Sequence, residues 1–202
     1  MSKKLQNIWV WREHRKMPKN ASDDDWLNSY KQISEFSTIE EFWEIYNHIP
    51  RPSEVMFNGK IFPIIEGRKI DGFSIFKKGI LPAWEDPKNI NGCELRINKG
   101  INNLDFLDFI WQNILFGVIG EYLEENDEIC GCRVTDKSKI GKGSNKTIFN
   151  IHIWLKYSDE LVVNSVRLRL IESISLEMKN CNFKIPDFEI HNPHMPVLAG
   201  GR

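Results

Sequence analysis

Two places in this sequence set an indole beside carboxylates outside any regular apolar pattern. Trp84-Glu85-Asp86-Pro87 follows the short apolar piece Ile80-Leu81-Pro82 and precedes the turn-forming Lys88-Asn89-Ile90-Asn91-Gly92. Trp26 closes Ala21-Ser22-Asp23-Asp24-Asp25, a run that belongs in a solvated loop. A flat aromatic in such a setting offers a stacking face to a planar ligand, and a neighbouring carboxylate accepts hydrogen bonds from the ligand edge or balances a positive charge on it. The plainer alternative is a half-packed tryptophan among solvated acids. A third stretch, residues 136–147 (DKSKIGKGSNKT), carries Lys137, Lys139, Lys142 and Lys146 on a Gly- and Ser-bearing loop. Those ammonium groups either hold phosphates or simply meet water.

Other chemistry is weaker in the sequence. Glu121, Glu124, Glu125, Asp127 and Glu128 are crowded enough to suggest a pyrophosphohydrolase. The cluster lacks the Gly-led spacing with a central Arg-Glu pair of Nudix-type hydrolases, and it is read as the polar end of a helix. Cys130-Gly131-Cys132, with Cys93 and Cys181, has one C-x-C and none of the paired two-residue spacings of structural zinc sites. His48 and His152 lie in apolar patterns that suit structural roles, and His191 and His194 stand near the C-terminus. No metal and no cofactor is expected.

The elements that must position these residues are mostly short. Residues 38–49 predict a helix, with Thr38 and Glu41 at capping-box spacing and Ile39, Phe42, Trp43, Tyr46 and Ile49 at helical intervals. Residues 104–123 carry the strongest helical stripe, and a third helix is predicted over 161–178. Strand-like pieces fall around 7–11, 29–36, 71–76, 94–98, 129–135, 148–155 and 183–190. Helices dispersed among about eight short strands predict an α+β protein in which an antiparallel sheet is covered on one face by helices. Residues 50–72 predict an ordered excursion, 136–147 a mobile surface loop, and 193–202 a loose C-terminus. At 202 residues the chain is expected to form one domain, 1–202, and a net charge of −1 argues against a chain-wide basic field for nucleic acid. The longest apolar runs fall short of a membrane span, so a soluble, intracellular monomer is expected.

Several blocks resemble the eukaryotic translation initiation factor 4E family, which binds the 7-methylguanosine cap of messenger RNA. They are Leu5-Gln6-Asn7-Ile8-Trp9, Trp26, Ile33-Ser34-Glu35-Phe36, Glu41-Phe42-Trp43, Tyr46-Asn47-His48-Ile49, Gly79 through Asp86, Ile119-Gly120-Glu121, Cys130-Gly131 and Ile153-Trp154, in family order. The resemblance implies a curved antiparallel sheet of about eight strands, three helices on its convex face and the cap in the concave face. It implies that Trp26 and Trp84 sandwich the base, that Glu85 accepts from its Watson–Crick edge, and that residues near 137–150 hold the phosphates. Lys137 stands where the family usually has Arg, Asn150 where a second basic residue is usual, and Lys142 and Lys146 are substitutes on a longer loop. Glu94-Leu95 replaces a common basic-Trp pair. The resemblance further implies a convex site, centred on Trp43 with Ile39, Gln112, Asn113 and Phe116, for a scaffold or inhibitor protein carrying a Tyr-x4-Leu-apolar helix. It implies a nonenzymatic translation factor working in the cytoplasm, with nuclear passage open. A translational repressor on the same fold is the alternative.

Overall fold

The computed structural model describes residues 2–16, 29–97, 100–178 and 186–192. Trp26, Cys181, His194 and the C-terminal stretch 193–202 lie outside the described residues, as does part of the strand predicted over 183–190.

Alternation with period two decides the architecture. Trp9, Trp11, Phe73, Ile75, Cys132, Val134, Ile151, Ile153 and Leu95 belong to one buried cluster. The intervening residues Arg12, Ser74, Arg133, His152 and Arg96 stand opposite one another across successive strands. They therefore share the other face, because side chains alternate along a strand and align across the ladder. The strands are β1 (Lys4–Arg15), β2 (Tyr30–Thr38), β3 (Ile70–Lys77), β4 (Cys93–Ile97), β5 (Ile129–Asp136), β6 (Phe149–Leu155) and β7 (Phe188–His191). They form one curved antiparallel sheet in the order β2-β1-β3-β5-β6-β4-β7. Seven strands among the described residues stand against the eight or so expected.

Among the described residues, four helices of a turn or more, α1 (Ile39–Tyr46), α2 (Pro52–Val55), α3 (Leu104–Ile119) and α4 (Glu160–Glu177), stand where three were predicted. The extra one is the single turn α2 within residues 50–72, started by Pro52 at its first position. Thr38 caps α1 through the predicted box, its hydroxyl accepting from the Glu41 N–H while the Glu41 carboxylate accepts from Thr38 N–H. Asn103 and Asp159 cap α3 and α4 through their side chains alone, accepting from the N–H of Phe106 and from those of Leu161 and Val162. Helix α3 ends at Ile119 rather than at residue 123, because Gly120 closes it and Glu121 turns to a φ of 55°. Its buried face, including Leu107, Ile110, Ile114, Leu115 and Val118, packs on the sheet. Each such side chain stabilises the fold by about 1.5–3 kcal/mol.

The excursion over 50–72 is ordered by burial of Val55, Met56 and Phe57 and by the Phe57 N–H, which donates to Asp136 Oδ2 at 2.7 Å. The loop over 136–147 closes as a hairpin in which Lys139 and Lys146 exchange backbone hydrogen bonds of 2.8 Å. Asn145 ties it to the excursion by donating to Gly59 O at 3.0 Å. No helix among the described residues is long and apolar enough to cross a membrane.

Candidate ligand-binding site

The segment that carries Trp84 is irregular but heavily bonded. Asp86 accepts from the N–H groups of Leu81 and Lys88 at 2.8 and 2.9 Å, and the fully buried Asn89 donates to the carbonyls of Leu81 and Ala83 at 2.7 and 2.8 Å. These bonds explain the local sequence, since Pro82, Pro87 and Gly92 leave little regular backbone pairing to hold the loop. The loop sets Trp84 against Trp154 of β6, with ring centroids 3.8 Å apart and planes 14° apart. Phe76 meets Trp154 edge-on at 5.6 Å, and Ile80 and Cys130 complete this second apolar cluster. Gly131 has to be glycine here, because a Cβ would lie 2.5 Å from the Phe76 ring and 2.4 Å from Ile75 O.

This aromatic plate borders a concave-face cavity of about 420 Å³. Trp84, Glu85, Arg133, Lys137, His14 and Tyr30 line it, with the Arg133 guanidinium 4.9 Å from the centre of the Trp154 ring. Glu85 is exposed at the rim. His14 bonds Ser74 Oγ at 2.7 Å and meets Tyr30 edge-on at 4.4 Å. Burial, helped by Arg133, Arg12 and Lys137, pushes its pKa down to about 3, so the imidazole is neutral. Burial also raises the Tyr30 phenol, against the opposing charge of Arg133. Asp136, although it lines the cavity, has its carboxylate turned to backbone donors at Phe57 and Ser138. The cavity therefore has an aromatic plate, a carboxylate and two cations in its lining, an arrangement suited to a flat ligand bearing an anionic tail.

Of the residues the sequence singled out for this site, Trp84, Glu85 and Lys137 come together around one cavity. Asn150 lies on β6 opposite Thr135, on the concave face but outside the lining. Lys142 and Lys146 are exposed on the hairpin and also stand outside it. Sequence reasoning assigned no role to Arg133, Tyr30 or Trp154. The signal that finds Arg133 is the strand period, since positions 133, 135 and 137 fall on one face of β5 as it continues into Lys137.

On the convex side, Trp43 is 42% exposed and packs against Phe116 of α3 at 5.3 Å and Tyr46 at 5.6 Å. Beneath it Phe42 is buried and stacked on Trp11. Ile39 is exposed one turn earlier on α1, and Gln112 is exposed one turn before Phe116. Asn113 turns back to donate to Phe109 O at 2.8 Å.

The acidic cluster of residues 121–128 lies in the turn after α3, not on the polar end of the helix. Glu124 accepts from Lys77 at 2.9 Å and from the Ile129 N–H, and Glu128 accepts from the N–H groups of Glu125 and Asn126. Burial opposes ionisation of Asp127, yet Lys156 and Lys77 hold its pKa down to about 2. Burial pushes the Cys93 and Cys130 thiols up to about 12 and Cys132 higher still. Among the described residues, no group of three or more His, Cys, Asp or Glu side chains could hold a metal ion.

The fold and cavity together define an α+β protein with helices on one face of a curved sheet and an aromatic, charged ligand cavity on the other. Residues 4–196 match the family model described as "Eukaryotic initiation factor 4E", and the chain belongs to that family. The chain is 32% identical over 139 residues to eukaryotic translation initiation factor 4E1 of Drosophila melanogaster, a match covering 68% of this chain and 47% of that protein. It thus spans about half the length of that relative. Ascaris suum eIF4E-3 in complex with an m2,2,7G cap superposes with a TM-score of 0.67 at 25% identity, covering 98% of this chain and 96% of the other. A schistosome eIF4E complexed with m7GpppA and 4E-BP gives a TM-score of 0.66 at 25% identity, over 94% and 88% of the two chains.

Proposed function

We propose that this chain, as one cap-binding domain, binds the 7-methylguanosine cap of messenger RNA in the concave cavity and a scaffold or inhibitor protein on the convex face, without catalysing a reaction. The observation that carries this reading is Trp84 stacked flat on Trp154 next to Glu85, in a cavity that Arg133 and Lys137 also line. N7 methylation makes guanine a flat cation, for which indole faces are the best aromatic partners. The Glu85 carboxylate accepts from N1–H and the N2 amino group, a two-point contact that adenine does not offer. Two rings with centroids 3.8 Å apart leave no space for a third between them. The base therefore stacks on the other face of Trp84, or Trp84 turns off Trp154 as it binds, with Trp26 as the second plate of the sandwich. Two stacks and one charged contact supply about 5–9 kcal/mol, consistent after binding costs with roughly micromolar affinity. The relatives solved with cap analogues and a 4E-BP support both halves of the reading.

Fluorescence titration with 7-methyl-GTP and GTP tests it. The methylated nucleotide quenches tryptophan emission and binds at least about tenfold tighter, a gap of about 1.4 kcal/mol. Equal affinities overturn the reading. Incubation of a capped dinucleotide with the protein and magnesium leaves the dinucleotide intact; release of a mononucleotide would make the chain an enzyme.

A further inference from the structure

We propose that Arg133 is the guanidinium that takes the ligand's phosphates, and that Glu94 is the residue that positions it. The inference rests on the nucleotide reading of the cavity and assigns its anionic subsite to a residue outside the lysine loop. Arg133 lies on the concave face of β5 and lines the cavity together with Trp84, Glu85 and Lys137. Its Cζ sits 4.9 Å from the centre of the Trp154 ring, on the same indole that supports Trp84. Its side chain is 20% exposed, so most of it is packed away while one edge reaches the cavity.

The contacts with Glu94 and Tyr30 hold the guanidinium and still leave it donors to offer. Nη2 stands 3.9 Å from Glu94 Oε2, close enough for ion pairing and too far for a hydrogen bond. The buried Arg133 Nε has no hydrogen-bond partner among the described residues. The Glu94 carboxylate is shared, with His152 Nδ1 at 2.9 Å and His191 Nδ1 at 3.2 Å. Glu94 is 3% exposed; burial resists its ionisation, but His152, Arg133 and His191 hold its pKa below the ordinary value and keep it an anion. Burial keeps His152 neutral despite that neighbour. Arg133 is therefore a full cation beside the aromatic plate, paired with Glu94 and hydrogen-bonded to Tyr30, contacts that leave part of its five-donor fork unused. Phosphate oxygens match that fork, and a desolvated fork binds them more strongly than an exposed ammonium does. The cation thus sits on β5 and its counter-charge on β4.

The test uses the full chain with Arg133→Met, Arg133→Lys and Glu94→Gln, each titrated with 7-methylguanosine, 7-methyl-GDP and inorganic pyrophosphate. The wild type binds the diphosphate more tightly than the nucleoside. Arg133→Met removes most of that increment, weakening 7-methyl-GDP and pyrophosphate at least about tenfold while the nucleoside changes less than about twofold. Arg133→Lys restores part of it, and Glu94→Gln weakens the nucleotide but not the nucleoside. An unchanged increment in Arg133→Met, or equal losses for nucleoside and nucleotide, overturns the proposal, the second outcome making Arg133 a support for Trp154 only. If Arg133→Met does not fold, the Lys and Gln variants decide by the same difference. The cap reading fails separately, when methylated and unmethylated nucleotides bind equally; the guanosine-to-GDP increment then tests Arg133 on its own.

Discussion

Trp84 and Trp43 are both accessible tryptophans, and their supports differ in every other respect. Trp84 rides on an irregular loop held by Asp86 and Asn89 and lies flat on a second indole, with a carboxylate and two cations around it. Trp43 rides on a capped helix above Phe42, Tyr46 and Phe116, with the exposed carboxylates of Glu40 and Glu44 on the same helix and no cation among its ring contacts with the described residues. The first setting selects a flat, charged ligand; the second suits the apolar face of an amphipathic helix, the usual occupant of an aromatic anchor on a helical surface. An exposed indole is thus ambiguous until its charged neighbours are known.

The sharpest way to break this contrast is to remove what the convex site stands on. Phe42→Ala deletes a buried ring between Trp11 and Phe116 and should lower unfolding free energy by about 3–5 kcal/mol in denaturant melts. A melt unchanged by the substitution would show that Trp43 has no apolar foundation. Next come the paired truncations. Trp84→Ala should weaken 7-methyl-GTP by about 1–3 kcal/mol while leaving capture of a Tyr-x4-Leu-apolar peptide intact. Trp43→Ala should weaken that peptide by about 2 kcal/mol while leaving retention on cap resin intact. If either variant loses both ligands, the two surfaces are one cooperative unit.

The pH dependence separates the faces more gently. His14 titrates near 3 when folded and near 6.5 when unfolded, so between those values the unfolded chain binds the extra proton. The stability from neutral His14 is complete above about pH 6.5 and declines as pH falls toward 3, by up to about 1.4 kcal/mol per pH unit. Melts of His14→Gln from pH 7 to 4 should show a shallower decline than the wild type. Substitutions on the convex face should leave the slope unchanged. Smallest are the hairpin lysines. Lys142→Ala and Lys146→Ala, exposed and outside the cavity lining, should each change nucleotide affinity by less than about 1 kcal/mol, an effect that fades with salt. Lys137→Ala should weaken it more. If all three substitutions combined change nothing, the hairpin is only a solvated surface.

How legible each part was follows from how local its causes are. The capping box of α1, the stripe of α3 and the alternation of the strands are properties of neighbouring residues, and they were readable. The end of α3 was misplaced by four residues, because the apolar stripe runs on to Tyr122 while the backbone turns left-handed at Glu121. Trp84-Glu85 was readable as a candidate because acids and prolines around an indole are a local anomaly. Arg133 was not, since one arginine in a strand looks the same whether it faces water or a buried carboxylate.

By itself, then, the sequence determined the α+β class, the capping box of α1, the apolar stripe of α3 and the presence of an aromatic-acidic loop. Helix and strand periods and turn chemistry act over a few residues, which is why they survive in a one-dimensional reading. Only the tertiary structure decided that Arg133, His152 and His191 gather around the buried Glu94, because they come from β5, β6, β7 and β4. Their meeting depends on which strands pair and in what register, and a shift of one residue in any of those pairings would send the side chain to the opposite face.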